Sequence, residues 1–210
     1  MKKNCTEVVF VLDRSGSMCG LEKDTIGGFN SLINKQKKQD GEVLVSTVLF
    51  NDSSVVIHDR KPIDEVRLMT SKDYEVYGCT ALLDALGSSI RHIGNIHKYA
   101  RVEDIPEHTM FVIITDGMEN ASRYYSKERV KSMIEYEKEK YGWEFLFLAA
   151  NMDAIDTASQ YGIDKNHAVN YQCDSVGTRL NYEVLDEAIQ CICSGVPLSK
   201  SWKSKIEKRK

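Results

Sequence analysis

The sequence predicts a doubly wound α/β domain, with a mostly parallel six-stranded sheet, one antiparallel edge strand and helices on both faces. Three observations carry this. Four short apolar segments recur along the chain, at residues 8–12, 43–50, 110–115 and 145–150. Three of them are apolar nearly throughout, as strands covered on both faces must be. Helical periodicity fills the intervals between them, except at one junction too short to hold a crossover helix.

Taken in order, the first strand is Val8-Val9-Phe10-Val11-Leu12, and Ile26, Phe29 and Ile33 mark the apolar stripe of the helix after it. The second strand ends at Phe50 and runs into the turn-rich Asn51-Asp52-Ser53, followed at once by Val55-Val56-Ile57. That spacing predicts a hairpin, so the strand from residue 54 to about 60 is antiparallel. Its charged end, His58-Asp59-Arg60-Lys61-Pro62, suits the edge of a sheet. Leu82, Leu86, Ile90 and Ile93 then mark a helix, and Val130, Met133 and Ile134 another, on either side of the third apolar strand. A short last strand at residues 168–171 and a helix over about 174–191 complete the alternation, which requires right-handed crossovers. The domain is expected to cover residues 1–198. Residues 199–210 carry Lys200, Lys203, Lys205, Lys208, Arg209 and Lys210 against the single acid Glu207, and this basic tail is expected to be solvated and partly frayed.

Composition narrows the function classes. At 210 residues, with 42% hydrophobic and 28% charged residues, the chain can bury a full core. A net charge of −3 and a pI near 6.0 offer no basic field for nucleic acid. The apolar segments are too short to span a bilayer. Met1-Lys2-Lys3-Asn4 leads into a short apolar run ending at Asp13, whereas an export signal needs a longer one and a small-residue cleavage site. A cytoplasmic monomer is expected, with its six cysteines reduced. Cys191 and Cys193 form a Cys-x-Cys pair without a second pair at zinc-finger spacing, and read as small buried residues on the last helix.

In an open α/β sheet ligands bind beyond the carboxyl ends of the strands, and three loops there carry oxygen donors. The first strand runs into Asp13-Arg14-Ser15-Gly16-Ser17. In an extended loop, alternate residues face one side, so Asp13, Ser15 and Ser17 converge. The third apolar strand ends in Thr115 and delivers Asp116-Gly117, and Gly78-Cys79-Thr80 opens the second helix. Asp13, Ser15, Ser17, Thr80 and Asp116 are all hard oxygen donors, a set that selects magnesium, manganese or calcium over zinc. Such a centre stays under-neutralised when one carboxylate acts through water, and keeps a position open for an anionic ligand.

These residues closely resemble the von Willebrand factor type A family and its metal-ion-dependent adhesion site. The family pattern is Asp-x-Ser-x-Ser, a distant Thr and a later Thr-Asp-Gly. Here it reads Asp13-x-Ser15-x-Ser17, Thr80 and Thr115-Asp116-Gly117, and the similarity spans about residues 5–193. The resemblance implies a Rossmann-like sheet of five parallel strands and one antiparallel edge strand. It also implies direct coordination by Ser15, Ser17 and Thr80, with Asp13 or Asp116 acting through water, and a protein partner that offers an Asp or Glu carboxylate to the metal. Arg14, Met18, Met118 and Arg123 are expected to frame that interface.

The alternative is a metal-dependent hydrolase or phosphatase with Asp13 as nucleophile. Enzymes of the haloacid-dehalogenase type place a second Asp two residues on as acid/base, and here that position is Ser15, whose hydroxyl cannot do that proton transfer unaided. No Gly-x-Ser-x-Gly elbow, phosphate loop or dinucleotide fingerprint occurs. His108 and His167 precede strands, at the sheet edge opposite the donors. His58 lies on the edge strand, and His92 and His97 fall late in a helix. Cys19 and Cys79 flank the donor loops. An oxidative link between them is one reading of that placement, and chance is the other.

Overall fold

The computed structural model describes residues 1–196 and 198–209. Its central strand, β1 (Lys2–Asp13), begins well before the apolar run that marks it in the sequence. It is flanked by β2 (Glu42–Phe50) and β4 (Pro106–Thr115), both parallel to it. β3 (Ser54–Pro62) returns antiparallel along β2, as its tight turn requires, and β5 (Glu144–Ala149) and β6 (Ala168–Asn170) extend the parallel part. The order is β3-β2-β1-β4-β5-β6. The chain builds outward from β1 in one direction and from β4 in the other. The switch point therefore falls between the carboxyl ends of β1 and β4, where Asp13 and Thr115 stand.

Alternation along the strands divides the core in two. On one face Val8, Phe10 and Leu12 of β1 pack beneath α1 (Glu22–Gln36) and α5 (Ser175–Cys193). On the other, Val9 and Val11 pack beneath α2 (Leu82–Tyr99), α3 (Lys127–Tyr141) and α4 (Ala154–Gln160). Because both faces are covered, the strands are apolar at consecutive positions, which is the pattern the sequence shows. Ser126 caps α3 by accepting from the Arg129 amide, and Gly142 ends it in the left-handed conformation at φ 67°. No described helix is long and apolar enough to cross a membrane.

The expected solvated tail is corrected. After the last turn of α5, residues Lys200–Lys203 form a 3-10 turn and Ser204–Glu207 a short helix, α6. Trp202, Lys203 and Ile206 are buried. The Trp202 indole donates to the Asn166 carbonyl at 2.9 Å, and the Lys203 ammonium donates to the carbonyls of Lys165 and Ala168 at 2.9 and 2.7 Å. Arg209 forms a two-pronged pair with Asp174, both contacts at 2.7 Å. The charge count of this segment concealed one apolar stripe, Trp202 and Ile206, whose four-residue spacing puts both on the domain. The Lys203 stem lies along the protein, whereas Lys205 and Lys208 are exposed.

Candidate functional site

Four of the five donors are buried at the switch point. Asp13, Ser15, Thr80 and Asp116 are at most 3% exposed, and Ser17 is exposed. The turn after β1 is held from several sides. Asp13 Oδ1 accepts from the Ser15 amide at 2.7 Å and Oδ2 from the Thr115 hydroxyl at 2.6 Å. The buried Tyr74 hydroxyl donates to the Asp13 carbonyl. The Gly16 amide reaches the carbonyl of Gly78 at 3.0 Å, which joins the first donor loop to the one carrying Thr80. Gly78 has φ 77°, and a side chain there would meet Asp52 Oδ2 at 2.0 Å, so only glycine suits this junction.

The loop after β4 is tied to the same place. The Thr80 amide donates to Asn120 Oδ1 at 2.9 Å, and the Thr80 carbonyl accepts from the amides of Asn120 and Ala121. Glu119 accepts from the Leu83 amide at the start of α2 and from the amides of Ala121 and Ser122 in its own loop. The sequence reading did not single out Glu119 or Asn120, which have no spacing pattern of their own.

The three hydroxyls point at one spot. A methyl group placed on Gly117 would sit 2.7 Å from Thr80 Oγ1, 3.1 Å from Ser17 Oγ and 3.4 Å from Ser15 Oγ. Ser15 and Ser17 lie 3.1 Å apart, and the Ser17 hydroxyl donates to Asp116 Oδ1 at 2.5 Å. The Thr80 residue is 3% exposed. Five sequence-predicted donors from three loops thus meet at one corner.

Among the described residues no positive group is hydrogen-bonded to Asp13. Burial pushes its carboxyl up from the usual range. Hydrogen bonds from Ser15 and Thr115 oppose that rise, and the charge of Asp116 adds to it. Among the described residues no three His, Cys, Asp or Glu side chains cluster as metal ligands, so a cation at this corner must be held largely by hydroxyls.

Two expectations around the site are corrected. Arg14 is buried, with its guanidinium 5.4 Å above the Tyr77 ring, and Met18 belongs to the hydrophobic core. Neither frames an outer surface, whereas Met118 and Arg123 are exposed beside the site. Gly16–Met18 forms a 3-10 turn that carries Met18 inward, which the extended-loop reading does not capture. Cys19 and Cys79 are both exposed and free. The cysteine that does reach the donors is Cys173, whose thiol donates to Asp116 Oδ2 at 3.2 Å. Burial and that hydrogen bond push it up to about 12.

No family model matches the chain, and no curated protein matches it. Solved structures match its fold. The von Willebrand factor domain of the type V pilus tip protein from Porphyromonas gingivalis has a TM-score of 0.66 at 11% identity, covering 92% of this chain and 97% of that domain. The proximal thread matrix protein 1 of the mussel byssus, with a zinc-occupied metal-ion-dependent adhesion motif, scores 0.60 at 15% identity over 92% of this chain and 47% of its own. A von Willebrand factor type A protein from Catenulispora acidiphila scores 0.56 at 11% identity over 88% and 42%. The chain therefore spans less than half of the mussel and Catenulispora chains and nearly all of the pilus-tip domain. At these identities the likeness is one of fold, and the fold is that of von Willebrand factor type A domains.

Proposed function

We propose that this chain is a divalent-cation-dependent protein-binding module. Asp13, Ser15, Ser17, Thr80 and Asp116 would hold the cation, and a partner protein would complete its shell with an Asp or Glu carboxylate. The observation that carries this reading is the convergence of the Ser15, Ser17 and Thr80 hydroxyls on one point above Gly117, beside the Asp116 carboxylate. The oxygen donors suit magnesium, manganese or calcium. The bound cation supplies positive charge at an otherwise acidic corner, and the protein supplies fixed oxygens around it. The mussel protein with zinc in its adhesion motif lends support from the same fold.

Geometry disfavours the hydrolase alternative. That alternative needs an acid/base two residues after Asp13, and Ser15 stands there, with its hydroxyl 3.1 Å from that of Ser17.

Calorimetry tests the reading. One divalent cation should bind per chain, and Thr80→Ala or Asp116→Ala should weaken it by roughly tenfold or more, with the circular dichroism spectrum unchanged. Capture of a partner should then be lost in EDTA. Variants that bind cation as the parent does would refute the site.

A further inference from the structure

The choice of magnesium, manganese or calcium depends on a donor set made only of oxygen, and the fold brings one sulfur to it. Cys173 lies between β6 and α5, in a segment fixed from both sides. The Tyr171 amide donates to the Ala149 carbonyl at 3.0 Å. Asp174 caps α5 by accepting from the Gly177 amide at 2.7 Å, and it is gripped by Arg209. Gln172 reaches the Arg209 carbonyl at 3.1 Å. The thiol between these anchors is partly buried and meets Asp116 Oδ2 at 3.2 Å, while Asp116 Oδ1 meets the Ser17 hydroxyl. One carboxylate is thus flanked by a hydroxyl and a thiol, and Thr80 Oγ1 lies beside the next residue, Gly117.

Resting on the cation-site reading above, we propose that Cys173 is a sixth donor, and that the site takes a thiophilic divalent cation of the zinc class in preference to magnesium. Thiolate sulfur favours zinc and cobalt strongly over magnesium, which keeps to oxygen. On binding, the thiol releases its proton to solvent and the sulfur lone pair goes to the metal, with no change of oxidation state. A bound dication deprotonates a coordinating thiol outright. Asp116 and the Cys173 thiolate together balance one dication, and a partner's carboxylate can enter as an exchangeable ligand.

Cobalt(II) is the probe, because sulfur coordination gives it an intense near-ultraviolet charge-transfer band. The reduced full chain should develop that band on titration with cobalt. Cys173→Ser should abolish it and weaken zinc binding roughly tenfold or more, while magnesium affinity stays within about twofold of the parent. The double variant Cys19→Ser with Cys79→Ser should keep the band, since both thiols are exposed and neither touches a donor carboxylate. Cobalt binding without the band, or a band that survives Cys173→Ser, overturns the sixth donor while leaving the cation site standing. No binding of any cation by the parent overturns both.

Discussion

Glu7 and Asp13 lie on the same face of β1, and both are at most 1% exposed. Their surroundings differ in one respect. Glu7 Oε1 accepts from the Arg60 guanidinium and Oε2 meets His97 Nε2, each at 2.6 Å. Asp13 meets an amide and a hydroxyl, both neutral. Burying a carboxylate costs several kcal/mol, which a nearby cation can offset. At Glu7 the protein provides that cation itself, and places it with care. Arg60 sits at φ 47°, a left-handed conformation unusual for arginine, with its amide held by Ser46 Oγ at 3.0 Å. At Asp13 the described contacts are dipoles alone, and the proposed cation would supply the missing counter-charge.

The largest test of this contrast is Glu7→Gln. Removing the anion leaves Arg60 without its partner under the sheet edge, where its side chain is only 22% exposed. A broken buried pair costs about 3–5 kcal/mol, and each kcal/mol lowers Tm by roughly 2–4 °C at this chain length. Thermal and urea melts should show a loss of that size, independent of any divalent cation. A near-parental Tm would mean that this pair contributes little.

Asp13→Asn should behave in the opposite way. Without metal the amide retains much of the local hydrogen bonding and removes an uncompensated charge, so stability should stay within about 1 kcal/mol of the parent. With cation the two proteins should diverge. The parent gains about 2.7 kcal/mol when free cation is a hundredfold above Kd, and the variant should gain almost nothing. Parallel melts with and without cation separate these cases, and an equal cation-induced rise in both would remove Asp13 from the site.

The same contrast explains what the sequence makes legible. Residues 8–12, 43–50, 110–115 and 145–150 announce their strands because both faces are covered by helices. The five oxygen donors announce the candidate site because they lie on loops at strand ends or at the start of a helix. Residues 2–7 of β1 are silent because Thr6 and Glu7 are polar, and Glu7 is buried only through Arg60 and His97, both distant in sequence. Cys173 is silent for a related reason: it stands 57 residues from Asp116 and belongs to no motif. In the C-terminal segment the many charges outvote Trp202 and Ile206. Local pattern reports which face of an element is apolar. It does not report which distant side chain will neutralise a charge or approach a donor.

His58 extends the comparison to a buried base and carries the smallest effect. It is 4% exposed on β3, stacked on Phe29 at 6.2 Å between ring centroids, with Nδ1 3.0 Å from Thr47 Oγ1. Its Nε2 has no partner among the described residues. Burial lowers its pKa below the usual 6.5 and the charges of Arg67 and Lys61 lower it further, while the Arg67 backbone and the charge of Asp73 partly oppose them. The sign follows from which state takes the proton first. As pH falls through 6.5 the unfolded chain protonates while the folded one resists, so stability present above 6.5 is lost as pH drops toward the folded value. At both Asp13 and His58 burial favours the neutral form, which is the protonated acid for one and the free base for the other. Urea melts between about pH 5 and 8 should therefore slope downward on the acid side in the parent and slope less in His58→Gln, whose amide can still meet Thr47. The change should be a fraction of what Glu7→Gln costs. Parallel slopes in the two proteins would assign the acid sensitivity to other groups and leave His58 as a packing residue only.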